Sequence, residues 1–331
     1  MAPRIAIFGA GSIGAAYGWI FSRTVPDQNI VTICRSNYDV ASQHGFTLNS
    51  TIFGSNLNYR PTVVRSGAEA AGLDPTTPYD YVVICSKAIS SKPSTAELLQ
   101  PLISNSTTIV LIQNGIGIED EYAKLYPNNP VLSTVVYFAA TQTAPAVIKH
   151  TEIELLHVGT YPAKAPAEHK KAATKFVNLV ADCGATARYH DDVQSERWAK
   201  LVMNACLNPI CALSKSRDMQ FLASAGEDAE QFMRDTMEEV ASVAQACGYS
   251  NITSEVVDRC IYRTQTRVPP GVEPSMMADA LVGRNMEVDA IVGNVVKLAR
   301  EKGVKVPILR TLYNLLQALD DSFSRDSHKR R

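Results

Sequence analysis

The chain has 331 residues, of which 46% are hydrophobic and 20% are charged; this composition is globular and excludes a disordered or collagen-like chain. At about 150 residues per domain, the length predicts one large domain or two ordinary ones. Lys and Arg number 32 and Asp and Glu number 33, so the net charge of -1 excludes a bulk basic field for non-specific nucleic-acid binding.

Short apolar runs alternate with helical segments through the first half of the chain. Runs of about four to eight apolar residues without polar alternation are typical of strands buried on both faces. With helices between them they predict βαβ units, and therefore an α/β fold with a doubly wound parallel sheet of the Rossmann type. A β-rich stretch over residues 140–161 is expected to extend the sheet at an edge. The predicted strands are 5–8, 30–34, 81–85, 108–112 and 131–137, and the predicted helices are 12–23, 94–103 and 118–125.

A glycine-rich motif of the form G-x-G-x-x-G follows the first predicted strand and opens the first predicted helix. The first glycine permits a tight turn, the second lets the backbone approach a pyrophosphate, and the third allows close packing of helix on strand. The amino end of the helix stabilises the phosphate charge. The alternative is an ordinary glycine-rich turn. We predict a dinucleotide-binding loop formed by Gly9, Ala10, Gly11, Ser12, Ile13 and Gly14.

The end of the second predicted strand bears on the choice of cofactor. An NAD site has Asp or Glu about 20 residues beyond the glycines, where it binds the ribose hydroxyls. Here the strand is followed by Arg35, Ser36 and Asn37, and the first acid, Asp39, comes four residues too late. A guanidinium binds phosphate through its planar fork, so Arg35 favours the 2′-phosphate of NADPH. The alternative is a surface arginine at a strand end.

Two further predicted strands end in polar residues. Ser86 and Lys87 follow the strand 81–85, and Gln113 and Asn114 follow the strand 108–112. The carboxyl ends of parallel strands share one rim of a sheet with the glycine loop. Lys87 and Asn114 are therefore candidates to bind a cofactor phosphate or amide and a substrate oxygen. Each is otherwise an ordinary loop or turn residue.

The pattern changes near residue 190. Strand-like runs give way to helical periodicity, as over residues 227–247 and 286–302, with turns marked by proline and glycine between the helices. We predict an NADP-binding domain over residues 1–190 and an all-helical substrate and catalytic domain over residues 191–325. The remaining residues, 326–331, are predicted to form a basic tail that frays.

Lys200, Asn204 and Asn208 are spaced at i, i+4 and i+8, so a helix places them in one row. Their neighbours are apolar, and burying unpaired polar groups is costly, so the row predicts a ligand that pairs with it. The alternative is the solvated face of an amphipathic helix. Pro209 predicts that this helix ends or kinks after Asn208.

Polar residues also stand at two predicted helix starts in the second half. Ser275 is suited either to cap its helix or to donate to a substrate carboxylate. Glu287 and Asp289 begin the helix predicted over residues 286–302, where the helix dipole favours acids.

In order and spacing, these motifs resemble those of the ketopantoate reductase (2-dehydropantoate 2-reductase) family over nearly the whole chain. The resemblance implies NADPH-dependent reduction of a 2-oxo acid, ketopantoate, to pantoate, a step toward pantothenate and coenzyme A. It implies that Lys200 is the proton donor. The positions that match the family's substrate and active-site contacts are Asn114, Asn204, Asn208 and Ser275, and those that match its cofactor contacts are Lys87, Asn114, Ala140 and Glu287.

Two positions depart from the family's pattern. Asp218 stands where members often carry a further asparagine, and Phe138 stands where some carry a polar residue. An acid beside a carboxylate substrate is unfavourable, so either the substrate differs or Asp218 points elsewhere.

Three other functions stay open at this point. A reductase of another 2-oxo acid would use the same lysine and asparagines. A non-catalytic NADPH-binding regulator would need the glycine loop and Arg35 but not the row that begins at Lys200. A hydroxyacid or sugar-phosphate dehydrogenase would need extra basic residues for a substrate phosphate, for which Lys215 and Arg217 are candidates.

The remaining features concern the cell compartment and partners. Seven cysteines with no C-x-x-C pair predict buried thiols in a reducing compartment, with neither disulfides nor a metal site. The uncharged segment 5–21 is shorter than the ~20 residues of a membrane span and is interrupted by glycines. We therefore expect a cytoplasmic protein without membrane or nucleic-acid partners. Its expected partner is a small-molecule 2-oxo acid, and it is expected to be a monomer or a homodimer.

Overall fold

The computed structural model describes residues 2–329, which form two compact units. The first unit comprises residues 2–87, Ser91–Gln113 and Glu119–Gln194. The second comprises Ala88–Ser90, Asn114–Ile118 and residues 195–329.

The first unit is built on one sheet of ten strands. They are β1 (Ile5–Phe8), β2 (Ile30–Ile33), β3 (Phe46–Ser50), β4 (Gly54–Tyr59), β5 (Thr62–Val64), β6 (Tyr81–Ile84), β7 (Thr108–Leu111), β8 (Val131–Ala144), β9 (Val147–Tyr161) and β10 (Ala187–Tyr189). Their order across the sheet is β4-β3-β9-β8-β7-β6-β1-β2-β5, and β10 pairs with β9.

The predicted doubly wound sheet is confirmed in the middle of this order. The run β8-β7-β6-β1-β2-β5 is parallel throughout. Every residue of β2, β6 and β7 is buried, as expected for strands that are covered on both faces. The continuous apolar runs in the sequence therefore correspond to the central strands.

Beyond β8 the sheet continues through strands that the apolar runs do not reveal. β8 and β9 form a long antiparallel hairpin, β9 pairs in parallel with β3, and β3 pairs antiparallel with β4. The β-rich stretch 140–161 comprises the end of β8, a turn and β9, but its predicted edge position is wrong because β9 lies between β8 and β3. The sequence does not predict β3 and β4, because polar residues interrupt FTLNS and GSNLNY and leave no continuous apolar run.

Helices connect these strands, and the first of them packs closely against the sheet. Tyr17, Ile20 and Phe21 of this helix are fully buried. The ring of Phe21 lies 6.1 Å from that of Phe176, measured between centroids. The helices of the first unit are α1 (Ser12–Ser22), α2 (Tyr38–His44), α3 (Gly67–Gly72), α4 (Thr95–Leu98), α5 (Asp120–Leu125) and α6 (Ala167–Asp182).

The second unit is helical wherever the described residues after 195 form regular structure, which confirms the predicted helical second half. Its helices are α7 (Gln194–Ser214), α8 (Asp218–Ser224), α9 (Ala229–Ala246), α10 (Ser254–Gln265), α11 (Ser275–Leu281), a π-helical turn (Asp289–Gly293), α12 (Asn294–Lys302) and α13 (Pro307–Lys329). Fully buried Val202, Met237 and Ile291 are among the residues that form its core.

Several details differ from the predicted helix boundaries. The helix predicted over residues 94–103 is α4 (Thr95–Leu98) followed by a 3₁₀ turn (Gln100–Leu102). Helix α7 does not end at Pro209 but continues to Ser214. The helix predicted over residues 286–302 begins later, as the π-helical turn that leads into α12. The backbone of α13 extends through Lys329, into the predicted basic tail 326–331, of which the last two residues lie outside the described part of the chain.

The cysteines are thiols, as predicted. All seven are free; Cys85 and Cys247 are half-buried and the other five are buried. Burial raises the pKa of Cys260 to about 11, so this thiol stays protonated at neutral pH. Within residues 2–329, no helix combines the length and apolarity that crossing a membrane requires.

Candidate active site

At two positions of the glycine loop in the first unit, a side chain would collide with neighbouring atoms. Gly9 has φ +95°, and a Cβ there would lie 2.5 Å from the Ser86 amide nitrogen. A Cβ on Gly14 would lie 2.0 Å from the Gly9 carbonyl oxygen. Gly11 differs, because a Cβ there would meet nothing within 4 Å. Gly11 is also the N-cap of α1 and supplies no side-chain cap, so the space beside it and the helix amino end suit a phosphate.

A buried asparagine holds this loop in place. Asn37 is 3% exposed, and its Nδ2 donates to the Ala10 carbonyl at 2.7 Å and to Gln142 Oε1 at 2.9 Å. Its Oδ1 accepts from Gln142 Nε2 at 3.1 Å and from the Ala146 amide at 3.3 Å. Sequence reasoning missed this residue, since one polar residue after a strand carries no sign of such a role.

Arg35 is exposed at the carboxyl end of β2, and a second arginine lies on the neighbouring strand end. Arg65 follows β5, and its guanidinium carbon lies 3.9 Å from the centroid of the Tyr38 ring. It also forms an ion pair with Asp39 at 2.8 Å. The carboxylate of Asp39 is therefore bound by an arginine on the adjacent strand end, a contact that the sequence did not reveal.

The loops after β6 and β7 are joined within the first unit. Gln113 is 6% exposed and donates from Nε2 to the Ser86 carbonyl at 2.7 Å. Lys87, which directly follows Ser86, is half-buried. Ala140, the other predicted cofactor contact in this unit, is half-buried in β8, opposite His150 of β9.

In the second unit the structure brings together two of the predicted residues, Lys200 and Asn114. The Lys200 Nζ donates to Asn114 Oδ1 at 2.8 Å. Desolvation by burial and, to a smaller extent, the positive charge of Arg197 lower the pKa of Lys200 from 10.5 to about 7, against the opposing effect of Glu287. A lysine with this pKa exchanges a proton at neutral pH, whereas an ordinary lysine remains charged.

The segment that carries Asn114 is tied to the helices of the second unit. Arg197, which is 3% exposed, donates from Nη1 to the Gly115 carbonyl at 2.7 Å. Asn294 Nδ2 donates to the Ile116 carbonyl at 2.6 Å. Sequence reasoning missed both residues, because each looks like a polar residue on a helix surface.

The other predicted residues of the second unit have different environments. Asn204 and Asn208 lie on α7 in the predicted row with Lys200; Asn204 is half-buried and Asn208 is 4% exposed. Ser275 is exposed and is the first residue of α11, whose N-cap is Pro274, so the predicted capping role is wrong.

The two predicted acids near residue 288 also have separate partners. Glu287 Oε1 accepts from the Ala88 amide at 2.9 Å, so the residue after Lys87 is bound directly. Asp289 Oδ1 accepts from the Tyr313 hydroxyl and from Gln317 Nε2, both at 2.9 Å. Asp289 thus joins two helices, while Glu287 lies close enough to Lys200 to influence its pKa.

The two departures from the family's pattern have structural explanations. Asp218 is fully buried, forms an ion pair with Arg267, and accepts from the Val272 amide at 2.8 Å, so its carboxylate is engaged within its own unit. The ring of Phe138 stacks on His150 with 3.7 Å between centroids. Both side chains are used in packing.

Lys215 and Arg217 are the two basic residues that could bind a substrate phosphate if the protein were a sugar-phosphate dehydrogenase. Lys215 is exposed, whereas Arg217 forms an ion pair with Glu273 at 3.2 Å and donates to the Gly271 carbonyl at 3.2 Å. The guanidinium of Arg217 therefore has partners within the protein, which weakens the case for a second phosphate site.

A mixed sheet with parallel central strands and a glycine turn after β1, together with a helical second unit, defines a Rossmann-type protein with a helical C-terminal domain. A family model described as ketopantoate reductase PanE/ApbA matches residues 5–163, and one described as ketopantoate reductase PanE/ApbA C terminal matches residues 192–320. The chain belongs to the ketopantoate reductase family, which consists of oxidoreductases.

Individual relatives match this chain over nearly its full length. The crystal structure of 2-dehydropantoate 2-reductase from Methylococcus capsulatus is 30% identical, with a TM-score of 0.81 and coverage of 97% of each chain. A 2-dehydropantoate 2-reductase of Mesorhizobium japonicum is 28% identical, covering 96% of this chain and 97% of the relative. A Saccharomyces cerevisiae protein described as uncharacterized is also 28% identical, covering 95% of this chain and 92% of the relative.

Proposed function

We propose that this protein reduces the ketone of ketopantoate to the hydroxyl of pantoate, with NADPH as the hydride donor. The observation that carries the proposal is the Lys200–Asn114 pair, an amine with a pKa of about 7 held by an amide oxygen 2.8 Å away. Membership of an oxidoreductase family supports the reaction class.

The domain over residues 1–190 is proposed to bind NADPH. When bound, the cofactor supplies the hydride that the ketone carbon accepts. The glycine loop fits a dinucleotide, since Gly11 leaves open space at the amino end of α1. Arg35 is proposed to bind the 2′-phosphate. The proposed remaining contacts are made by Gly9, Ala10, Ser12, Ile13, Gly14, Lys87, Asn114, Ala140 and Glu287.

The domain over residues 191–325 is proposed to supply the proton. Addition of hydride at the carbonyl carbon leaves negative charge on the oxygen, which an ammonium stabilises and then protonates. Lys200 fits this role because its pKa lies near the working pH and Asn114 fixes its Nζ. Asn204, Asn208 and Ser275 are proposed to orient the carboxylate and hydroxyl of the substrate.

Reduction of another 2-oxo acid is the second candidate. A solved structure of D-mandelate dehydrogenase with NADH and anilino(oxo)acetate shares the fold, with a TM-score of 0.80 at 22% identity, covering 97% of this chain and 99% of that one. A protein with this fold is therefore named for a different dehydrogenase activity and binds an aryl-substituted oxo acid. For this reason the substrate test includes aryl 2-oxo acids.

The experiment that tests the proposal is the oxidation of NADPH, followed by absorbance, with ketopantoate and a panel of aliphatic and aryl 2-oxo acids. Turnover that is fastest with ketopantoate would support the proposal. Turnover with a different acid would retain the chemistry and change the substrate. Tight NADPH binding without turnover on any acid would favour the non-catalytic regulator.

The pH dependence of reduction follows from the pKa of Lys200. The ammonium form donates the proton, so kcat/KM is expected to be highest below about pH 7 and to fall about tenfold per pH unit above it. Oxidation of the hydroxy acid needs the neutral amine and should rise through the same range. Initial rates in both directions between about pH 6 and 9 check this sign; a flat profile in both directions would contradict it.

Arg35 is expected to select NADPH over NADH. Replacing Arg35 with alanine removes a charge-assisted contact to the 2′-phosphate, which should weaken NADPH binding by about tenfold or more and leave NADH binding nearly unchanged. Arg60→Ala is a control at an exposed arginine of the same unit. Calorimetric titration with NADPH and NADH measures both affinities, and equal losses for the two would reject the assignment.

A cytoplasmic location and a monomeric or homodimeric state complete the proposal. A solved ketopantoate reductase from Staphylococcus aureus is described as dimeric. Light scattering on the purified protein would decide between the two states for this chain.

A further inference from the structure

A buried arginine lies beside the proposed proton donor. Arg197 is 3% exposed and precedes Lys200 by three residues on α7. Residues three apart lie on the same side of a helix. The guanidinium and the lysine amine therefore share one face of α7.

Arg197 and Lys200 bind consecutive residues of the same segment. Arg197 Nη1 donates to the Gly115 carbonyl at 2.7 Å, and Lys200 Nζ donates to Asn114 Oδ1 at 2.8 Å. With the helix on one side and the peptide bond between Asn114 and Gly115 on the other, these contacts form a closed ring.

The backbone in this ring has little room to adjust. Gly115 has φ +101°, and a Cβ there would lie 2.5 Å from the Ala290 carbonyl oxygen. The next residue, Ile116, donates its amide to the same carbonyl at 2.9 Å and accepts from Asn294 Nδ2 at 2.6 Å. Asn294 holds the segment without a charge, whereas Arg197 holds it and also brings a positive charge.

The positive charge of Arg197 acts on Lys200 together with the negative charge of Glu287. Arg197 opposes protonation of the amine, and Glu287, which precedes the π-helical turn, favours it; both act in addition to burial. Charges interact strongly where water is excluded. The protonation of Lys200 therefore depends on a residue that also fixes the position of its hydrogen-bond partner.

We propose that Arg197 is a positioning residue for the proton-transfer step, which holds Gly115 and thereby Asn114 against Lys200 and which places a second positive charge beside the lysine amine. The inference rests on the proposed function in that it takes Lys200 as the group that gives up the proton.

The test is a pH titration of Lys200 in the full-length protein without ligands. Amines are labelled by limiting acetic anhydride across a pH series, and mass spectrometry quantifies the peptide that contains Lys200. The wild-type midpoint is expected near pH 7. Arg197→Gln should raise it to about 8 or above, because removing a nearby like charge favours the ammonium. Arg197→Lys retains the charge and should keep the midpoint near the wild-type value.

Asn294→Ala is the matched control, because it removes a tether of the same segment without changing charge. Its midpoint should stay near that of the wild type. Arg197→Met, whose unbranched side chain fills buried space, is the second neutral variant in case the glutamine variant does not fold. A wild-type midpoint in either folded neutral variant, or an equal rise in Asn294→Ala, would overturn the role of Arg197.

The labelling needs neither NADPH nor a 2-oxo acid, so the proposed function and the inference about Arg197 can be rejected independently of each other. A protein without reductase activity but with the expected midpoints would reject the proposed function and retain the charge effect of Arg197 on Lys200. An active reductase whose midpoint is unchanged in the neutral variants would reject only the inference about Arg197.

Discussion

Replacing Lys200 with alanine is expected to lower kcat for 2-oxo acid reduction by about 10²–10⁴-fold while NADPH still binds. The variant loses the group that is proposed to stabilise the developing oxyanion and to protonate it, but it keeps the glycine loop and Arg35. Steady-state kinetics with the substrate found in the panel, and a fluorescence titration with NADPH, measure the two quantities independently.

A lysine elsewhere in the same unit provides the control. Lys297 is exposed on α12, and Lys297→Ala should leave both kcat and NADPH affinity unchanged. Near-normal turnover in Lys200→Ala would remove Lys200 from the role of proton donor. Loss of NADPH binding in the same variant would instead show that Lys200 holds the cofactor.

Arg267→Met is expected to lower the free energy of unfolding by about 3–5 kcal/mol, because it leaves the carboxylate of Asp218 buried without its arginine partner. Asp218 is fully buried, whereas Arg267 is 17% exposed. The backbone amides of Met219 and Val272 still donate to Asp218 Oδ1, each at 2.8 Å, but they do not neutralise its charge. Urea denaturation followed by circular dichroism measures the loss.

Two further variants separate charge burial from the loss of any ion pair. Arg217 pairs with Glu273 nearby, with side chains 37% and 33% exposed, and Arg217→Met should cost about 1 kcal/mol or less. Adding Asp218→Asn to Arg267→Met should recover part of the stability, since a neutral amide replaces the stranded carboxylate. A double variant no more stable than Arg267→Met would argue against charge burial as the cause.

The features that could be predicted from the sequence are those with a local signal. Each central strand is one apolar run, because burial on both faces leaves no polar alternation. The close packing at Gly9 and Gly14 excludes a side chain, so the glycine spacing between a predicted strand and a predicted helix reveals the loop. The sequence marks Lys200 and Asn114 as separate candidates, but it does not show that they are hydrogen-bonded, since 86 residues separate them.

Features that depend on contacts distant in sequence could not be predicted. β3 and β4 are recognisable as strands only once β9 lies beside β3. Arg197 resembles a surface arginine until the Gly115 carbonyl is found 2.7 Å away. Asp218 looked unfavourable because an acid would lie beside a carboxylate substrate. The sequence does not show that Asp218 pairs with Arg267, which lies far along the chain, after α10.

The anchoring of the glycine loop by Asn37 constrains how cofactor preference can be redesigned. Residues 35 and 36 are exposed and open to exchange, whereas Asn37 uses both its amide nitrogen and its oxygen inside the protein. Grafting a whole acidic segment from an NAD enzyme after β2 would remove that anchor along with Arg35. Directed evolution toward NADH should therefore accumulate changes at 35 and 36 and retain asparagine at 37.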